Sequence, residues 1–132
     1  MKPSLKQGFS IIELIFVIAV LGIIAAVAVP KLLDTRNSAL EATIKQDIST
    51  ITTSIQSYYM LNNKIENISD AVTINTKTWD VKELSAKFSN DGKVCVSIEV
   101  ISNKLEIVIN KDNDGLCKKL YDSGVNSVTY EL

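Results

Sequence analysis

The chain has 132 residues, 14 Lys and Arg against 15 Asp and Glu, and no histidine. That length leaves room for one small domain, and the missing histidine removes histidine-based triads and histidine metal ligands. The single adjacent basic pair of note, Lys118-Lys119, is too little for nonspecific nucleic-acid binding, which relies on displaced counterions; no glycine-rich phosphate loop is present, so an enzyme is not expected.

After a leader, residues 1–8, that carries Lys2 and Lys6, residues 9–30 are apolar with Glu13 as their one ionisable side chain. At about 1.5 Å per helical residue this stretch covers roughly 33 Å, the thickness of a bilayer's hydrocarbon core, and it predicts a membrane helix. A carboxylate in such a helix is costly unless it finds a counter-charge. Lys2 and Lys6 lie on the water side, but a cut between Gly8 and Phe9 would place a cationic α-amine one turn from Glu13. A cleaved secretory signal fits less well, since its cut would come after the apolar run, and here the run leads into Val29-Pro30-Lys31-Leu32. The apolar segment is expected to stay in the mature protein. A plain signal anchor, in which Gly8 and Glu13 are accidental, is the competing reading.

The basic leader ending in Gly8, then Phe9-Ser10-Ile11-Ile12-Glu13-Leu14, then an apolar run broken by Gly22 and closed by Pro30, resembles the class III signal of type IV pilins and type II secretion pseudopilins. The likeness is close over residues 6 to about 36 and fades to a pattern of elements afterwards. It implies that a prepilin peptidase cuts after Gly8 and N-methylates Phe9, and that Glu13 and Phe9 serve assembly of a helical filament of identical copies on an inner-membrane platform. It also implies that the stretch between Gly22 and Pro30 extends when subunits leave the membrane; ordinary tolerance of both residues in lipid is the alternative. The implied fold is α+β and pilin-like, a long N-terminal helix with a membrane-spanning first half, packed against a small antiparallel sheet. No nucleic acid is expected to bind a major subunit. The alternative function is that of a minor pilin acting as a membrane-tethered adhesin or DNA-binding module.

Lys2 and Lys6 orient the membrane helix with its N-terminus cytoplasmic, leaving the chain beyond Pro30 in the periplasm. That compartment permits disulfides, so Cys95 and Cys117 either pair, in the one connectivity open to them, or remain two buried thiols.

Glycine is absent from 23 to 91 and proline from 31 onward, and one helix is expected over residues 9–61, roughly 80 Å long at the standard rise. In its amphipathic half, residues 31–62, the positions Leu40, Ile44, Ile48, Ile51, Ile55, Tyr58 and Leu61 or Asn62 repeat at three and four, marking one buried face. Glu41 and Lys45 stand in the favourable order on its surface. The remainder, residues 63–132, forms the head. Residues 63–92 suggest a covering loop, a short strand at 71–75 and a two-turn helix over 79–88 with Trp79, Leu84 and Phe88 inward.

From Lys93 the period changes to two. Residues 94–100 and 105–109 alternate about a turn at Ser102-Asn103, which predicts a hairpin, and 127–131 adds a third antiparallel strand. Val96, Ile98, Val100, Leu105, Ile107, Ile109, Val128 and Tyr130 should face the isoleucine stripe, with Ser97, Glu99, Glu106 and Thr129 toward water. Asn110-Lys111-Asp112-Asn113-Asp114-Gly115 matches the first half of a calcium loop, with Asn110, Asp112 and Asp114 as oxygen ligands. Tyr121 stands where the bidentate glutamate would fall, so a polar turn is the competing reading. Tyr58, Tyr59, Trp79 and Tyr121 are too dispersed for a base-stacking platform and read as core or interface residues.

Overall fold

The computed structural model describes residues 8–112 and 115–132. Leader residues Lys2 and Lys6, and Asp114 of the candidate calcium loop, lie outside the described residues. In chain order the elements are α1 (Ile11–Asn62), α2 (Ile68–Ala71), β1 (Trp79–Val81), β2 (Ser85–Asn90), β3 (Lys93–Ile101), β4 (Lys104–Ile109), α3 (Leu116–Asp122) and β5 (Val128–Glu131). The chain divides into two compact units, one ending at Ser38 and the other spanning Ala39–Leu132.

The first unit is the apolar part of α1. Its large side chains are uncovered on every side, from Ile11 at 80 % exposed to Leu32 at 70 %. Pro30 lies inside the helix, and just beyond it the Thr35 hydroxyl donates to the Lys31 carbonyl at 2.9 Å. The most apolar window has a mean hydropathy of 3.0, long and apolar enough to cross a membrane.

The second unit is built on the later part of α1. Ile44, Ile48, Ile51 and Ile55 are buried, with Leu40 packed at the margin. The stripe ends there: Tyr58 is only half-buried and Leu61 is 83 % exposed. At 3.6 residues per turn the position aligned with Ile55 and Tyr58 is the polar Asn62, and Leu61 points well away from it. Asn63 then stops the helix in a left-handed conformation, φ 56°, its N–H bonded to the Tyr59 carbonyl at 2.7 Å.

All five strands pair antiparallel in the order β1-β2-β3-β4-β5, an uninterrupted meander. Two of these strands occupy the stretch where a helix was expected. Trp79 and Phe88 do face inward, but across a strand pair: they are register partners with ring centroids 5.8 Å apart. Leu84 lies in the connection, on the surface. Trp79 and Val81, then Ala86 and Phe88, alternate with polar neighbours, and Asp91-Gly92 supplies the two positive φ angles, 51° and 76°, of a tight hairpin turn. The expected strand at 71–75 does not form either. Part of it ends α2, and Val72 and Ile74 pack on the core without a ladder partner. Ser102-Asn103 turns the next hairpin with φ 48° and 64°.

Val96, Ile98, Val100, Leu105, Ile107 and Ile109 are buried as their alternation requires. On β5 the register puts Val128 opposite Ile107 and Tyr130 opposite Leu105, on the inner side, yet each remains 38 % exposed. β5 is an edge strand, and its inner face borders a cleft whose other wall is α1 instead of packing tightly against it.

Cys95 and Cys117 are disulfide-bonded, with Cα atoms 4.9 Å apart and both side chains buried. A bulge brings this about. Phe88 pairs with Val96 and Ser89 with Val94, so Cys95 is the extra residue and is buried together with its neighbour Val96. The bond ties α3 to β3, while Lys45 of α1 donates to the Ser123 carbonyl at 3.2 Å, a cation at the C-terminal end of α3. Replacing both cysteines by alanine frees a loop whose closure contributes about 3 kcal/mol in the chain-entropy model. The variant should lose about that much unfolding free energy in a denaturant titration monitored by the fluorescence of Trp79, the chain's one tryptophan.

Candidate functional site

The segment that carries the unusual chemistry is the start of α1. Ser10 is its N-cap: the Ser10 hydroxyl oxygen accepts the Glu13 N–H at 3.2 Å, and the Ser10 carbonyl accepts the Leu14 N–H at 3.0 Å. One residue thereby satisfies an N–H that the helix itself leaves without a partner and closes the first helical hydrogen bond. The signal for this cap is present in the sequence, since Ser10-Ile11-Ile12-Glu13 has the spacing of a capping box, but the lone acid overshadows it.

Because Ser10 is the cap, Glu13 occupies the third helical position and Phe9 stands just outside the helix, 81 % exposed. A carboxylate in the first turn is favoured by the helix dipole, whereas a positive amine at Phe9 would oppose it and need an acid nearby. The ion pairs among the described residues are Lys64–Glu66, Lys87–Glu99 and Lys104–Glu131, so the Glu13 carboxylate has no cationic partner among them. A Cβ added at Gly8 or at Gly22 would meet no heavy atom within 4 Å. The fold of the single chain thus makes no demand for glycine at either position.

Of the calcium candidates, Asn110 and Asp112 lie among the described residues and Asp114 does not. The Asp112 N–H donates to the Asn110 Oδ1 at 3.3 Å, a local turn contact on the surface. No group of three His, Cys, Asp or Glu able to hold a metal occurs among the described residues. Lys118 and Lys119 are exposed on α3, and the Lys111 ammonium sits 5.6 Å from the centre of the Tyr121 ring.

Removing the cap has a readable cost. Ser10→Ala should destabilise the first turn of α1 by about 1 kcal/mol, seen as roughly fivefold faster hydrogen exchange at the Glu13 amide in the full chain held in micelles.

Comparison with known proteins bears on this same segment. Residues 3–29 match the family model of the prokaryotic N-terminal methylation motif. No curated protein matches the chain, and no solved structure does. The segment that holds the lone acid and the apolar run behind it is therefore similar to the N-terminal methylation motif, the class III signal of type IV pilins.

Proposed function

We propose that this protein is a structural subunit of a type IV pilus or of a related pseudopilus. A prepilin peptidase cuts between Gly8 and Phe9 and methylates the new Phe9 amine; the helix then anchors the subunit in the inner membrane with its N-terminus cytoplasmic and its head periplasmic. Drawn from the membrane by an assembly platform, copies polymerise with their apolar segments buried among one another.

The observation that carries this reading is the lone Glu13 carboxylate, without a cationic partner among the described residues, in the first turn of a helix whose apolar side chains from Ile11 to Leu33 are exposed on all sides. Lipid covers such a surface in the membrane, and neighbouring copies cover it in a filament. In the second setting the acid is neutralised by the Phe9 amine of an adjacent subunit. A subunit slipped along the axis would strand both charges in an apolar core, so the pair sets the register. Gly22 and Pro30 are the points at which the segment yields during the transfer, since glycine weakens a helix and proline removes one of its hydrogen bonds.

Two substitutions separate the steps. Glu13→Ala should be cut and inserted, giving a mature mass that begins at Phe9, but yield no filaments in sheared surface material; normal filaments would refute the register argument. Gly8→Leu, tested in cells that hold the peptidase, should leave the precursor at its full mass, and correct trimming would contradict the assignment.

A further inference from the structure

We propose that the cleft between α1 and β5 in the head binds a neutral, multiply hydroxylated ligand, a sugar unit of a glycan. The cleft is open to solvent and offers about 430 Å³, a volume within the range of small-molecule sites. Its apolar surfaces come from Ile48, Ile107, Val125 and Val128. Around them stand the side chains of Ser49, Thr53, Gln56, Asn126 and Tyr130, and none of these five side chains makes a hydrogen bond to another described residue.

The chemistry of this lining selects its occupant. Hydroxyls and amides both donate and accept, so the complementary ligand does both. Among the described residues no carboxylate lines the cleft, which disfavours a cation. The one ammonium, that of Lys45, gives one of its three donors to the Ser123 carbonyl at 3.2 Å, and a lone, exposed cation makes at most a weak anion site, so an acidic sugar is the comparator in the test below. Thr52 is likewise turned away from a ligand, its hydroxyl donating to the Ile48 carbonyl at 2.7 Å. A pyranose offers what remains: a ring of hydroxyls for the polar rim and a face of C–H groups for Val128 and the rigid, amphipathic ring of Tyr130. The opening exists because the meander stops at β5 and leaves the inner sides of Val128 and Tyr130 uncovered. The inference does not depend on the filament reading.

The test uses the full mature chain in sugar-free polyoxyethylene micelles. Saturation-transfer NMR is run against the methyl glycosides of glucose, galactose, N-acetylglucosamine and N-acetylgalactosamine, with N-acetylneuraminic acid as the anionic comparator. At least one neutral sugar should receive transfer. Its affinity should fall about tenfold in Tyr130→Ala and in Gln56→Ala, and should be retained in Tyr121→Ala, whose aromatic ring lies outside the cleft. Gln56→Ala guards against misfolding, because alanine is at least as good a helix former at this half-buried position. The proposal is overturned by silence from all four neutral sugars, by stronger transfer to the acid, or by transfer that survives both cleft substitutions. Silence combined with filament loss in those two variants would assign the cleft to a neighbouring copy instead.

Discussion

The head depends on one row of contacts: Ile44, Ile48, Ile51 and Ile55 of α1 buried against the inner side of the sheet. Each such side chain is worth about 1.5–3 kcal/mol when fully removed from water, and a unit this small has no room for a second core to replace them. A threonine is tolerated in the row because its hydroxyl is satisfied within the helix, Thr52 to the Ile48 carbonyl. A second polar link in this contact is directional as well: the Trp79 indole N–H donates to the Asp47 carboxylate at 2.9 Å, pinning the β1 side of the sheet to α1.

The two sides of the sheet are finished differently. At β1 the sheet closes on α1 through Trp79, its partner Phe88 and the Asp47 hydrogen bond. The short helix α3 is tied to β3 by the Cys95–Cys117 bond and to α1 by Lys45 at its C-terminal end. At β5 no comparable cover exists among the described residues, and the inner side chains of the edge strand border an open cleft with a polar rim. Edge strands are normally blunted or covered, so an uncovered one beside a cavity is where a partner molecule can add contacts without disturbing the core.

The N-terminal segment obeys the opposite rule. Its apolar residues recur on every side of the helix, so no stripe can be buried against a partner element of the same chain, and the surrounding medium has to supply the cover. Within it a single acid sits one turn from a serine cap. The cap holds the helix start in place, and the helix start decides how far Phe9 stands from Glu13. Local hydrogen bonding thus links Ser10 and Glu13, and the filament assembly proposed above would draw on the same turn.

Much of this is legible in the chain because it rests on local periodicity. The apolar run, the lone Glu13, the long helix, the isoleucine stripe, and the strands β3, β4 and β5 all arise from spacings of three to four or of two. The stretch from Trp79 to Phe88 misleads because Leu84 and Phe88, four positions apart, suggest one helix face, although Trp79, nine positions before Phe88, would fall on the opposite side of a helix; its pairing with Phe88 fits a hairpin instead. What no local pattern contains is the bulge that turns Cys95 into the core beside Val96, the sheet that runs out at β5, and the resulting exposure of Val128 and Tyr130. Those features belong to strand register and to the extent of the sheet, and both are set by which distant segments pair. The order of side chains therefore dictates the periodic elements, while tertiary pairing decides where the head is closed and where it stays open.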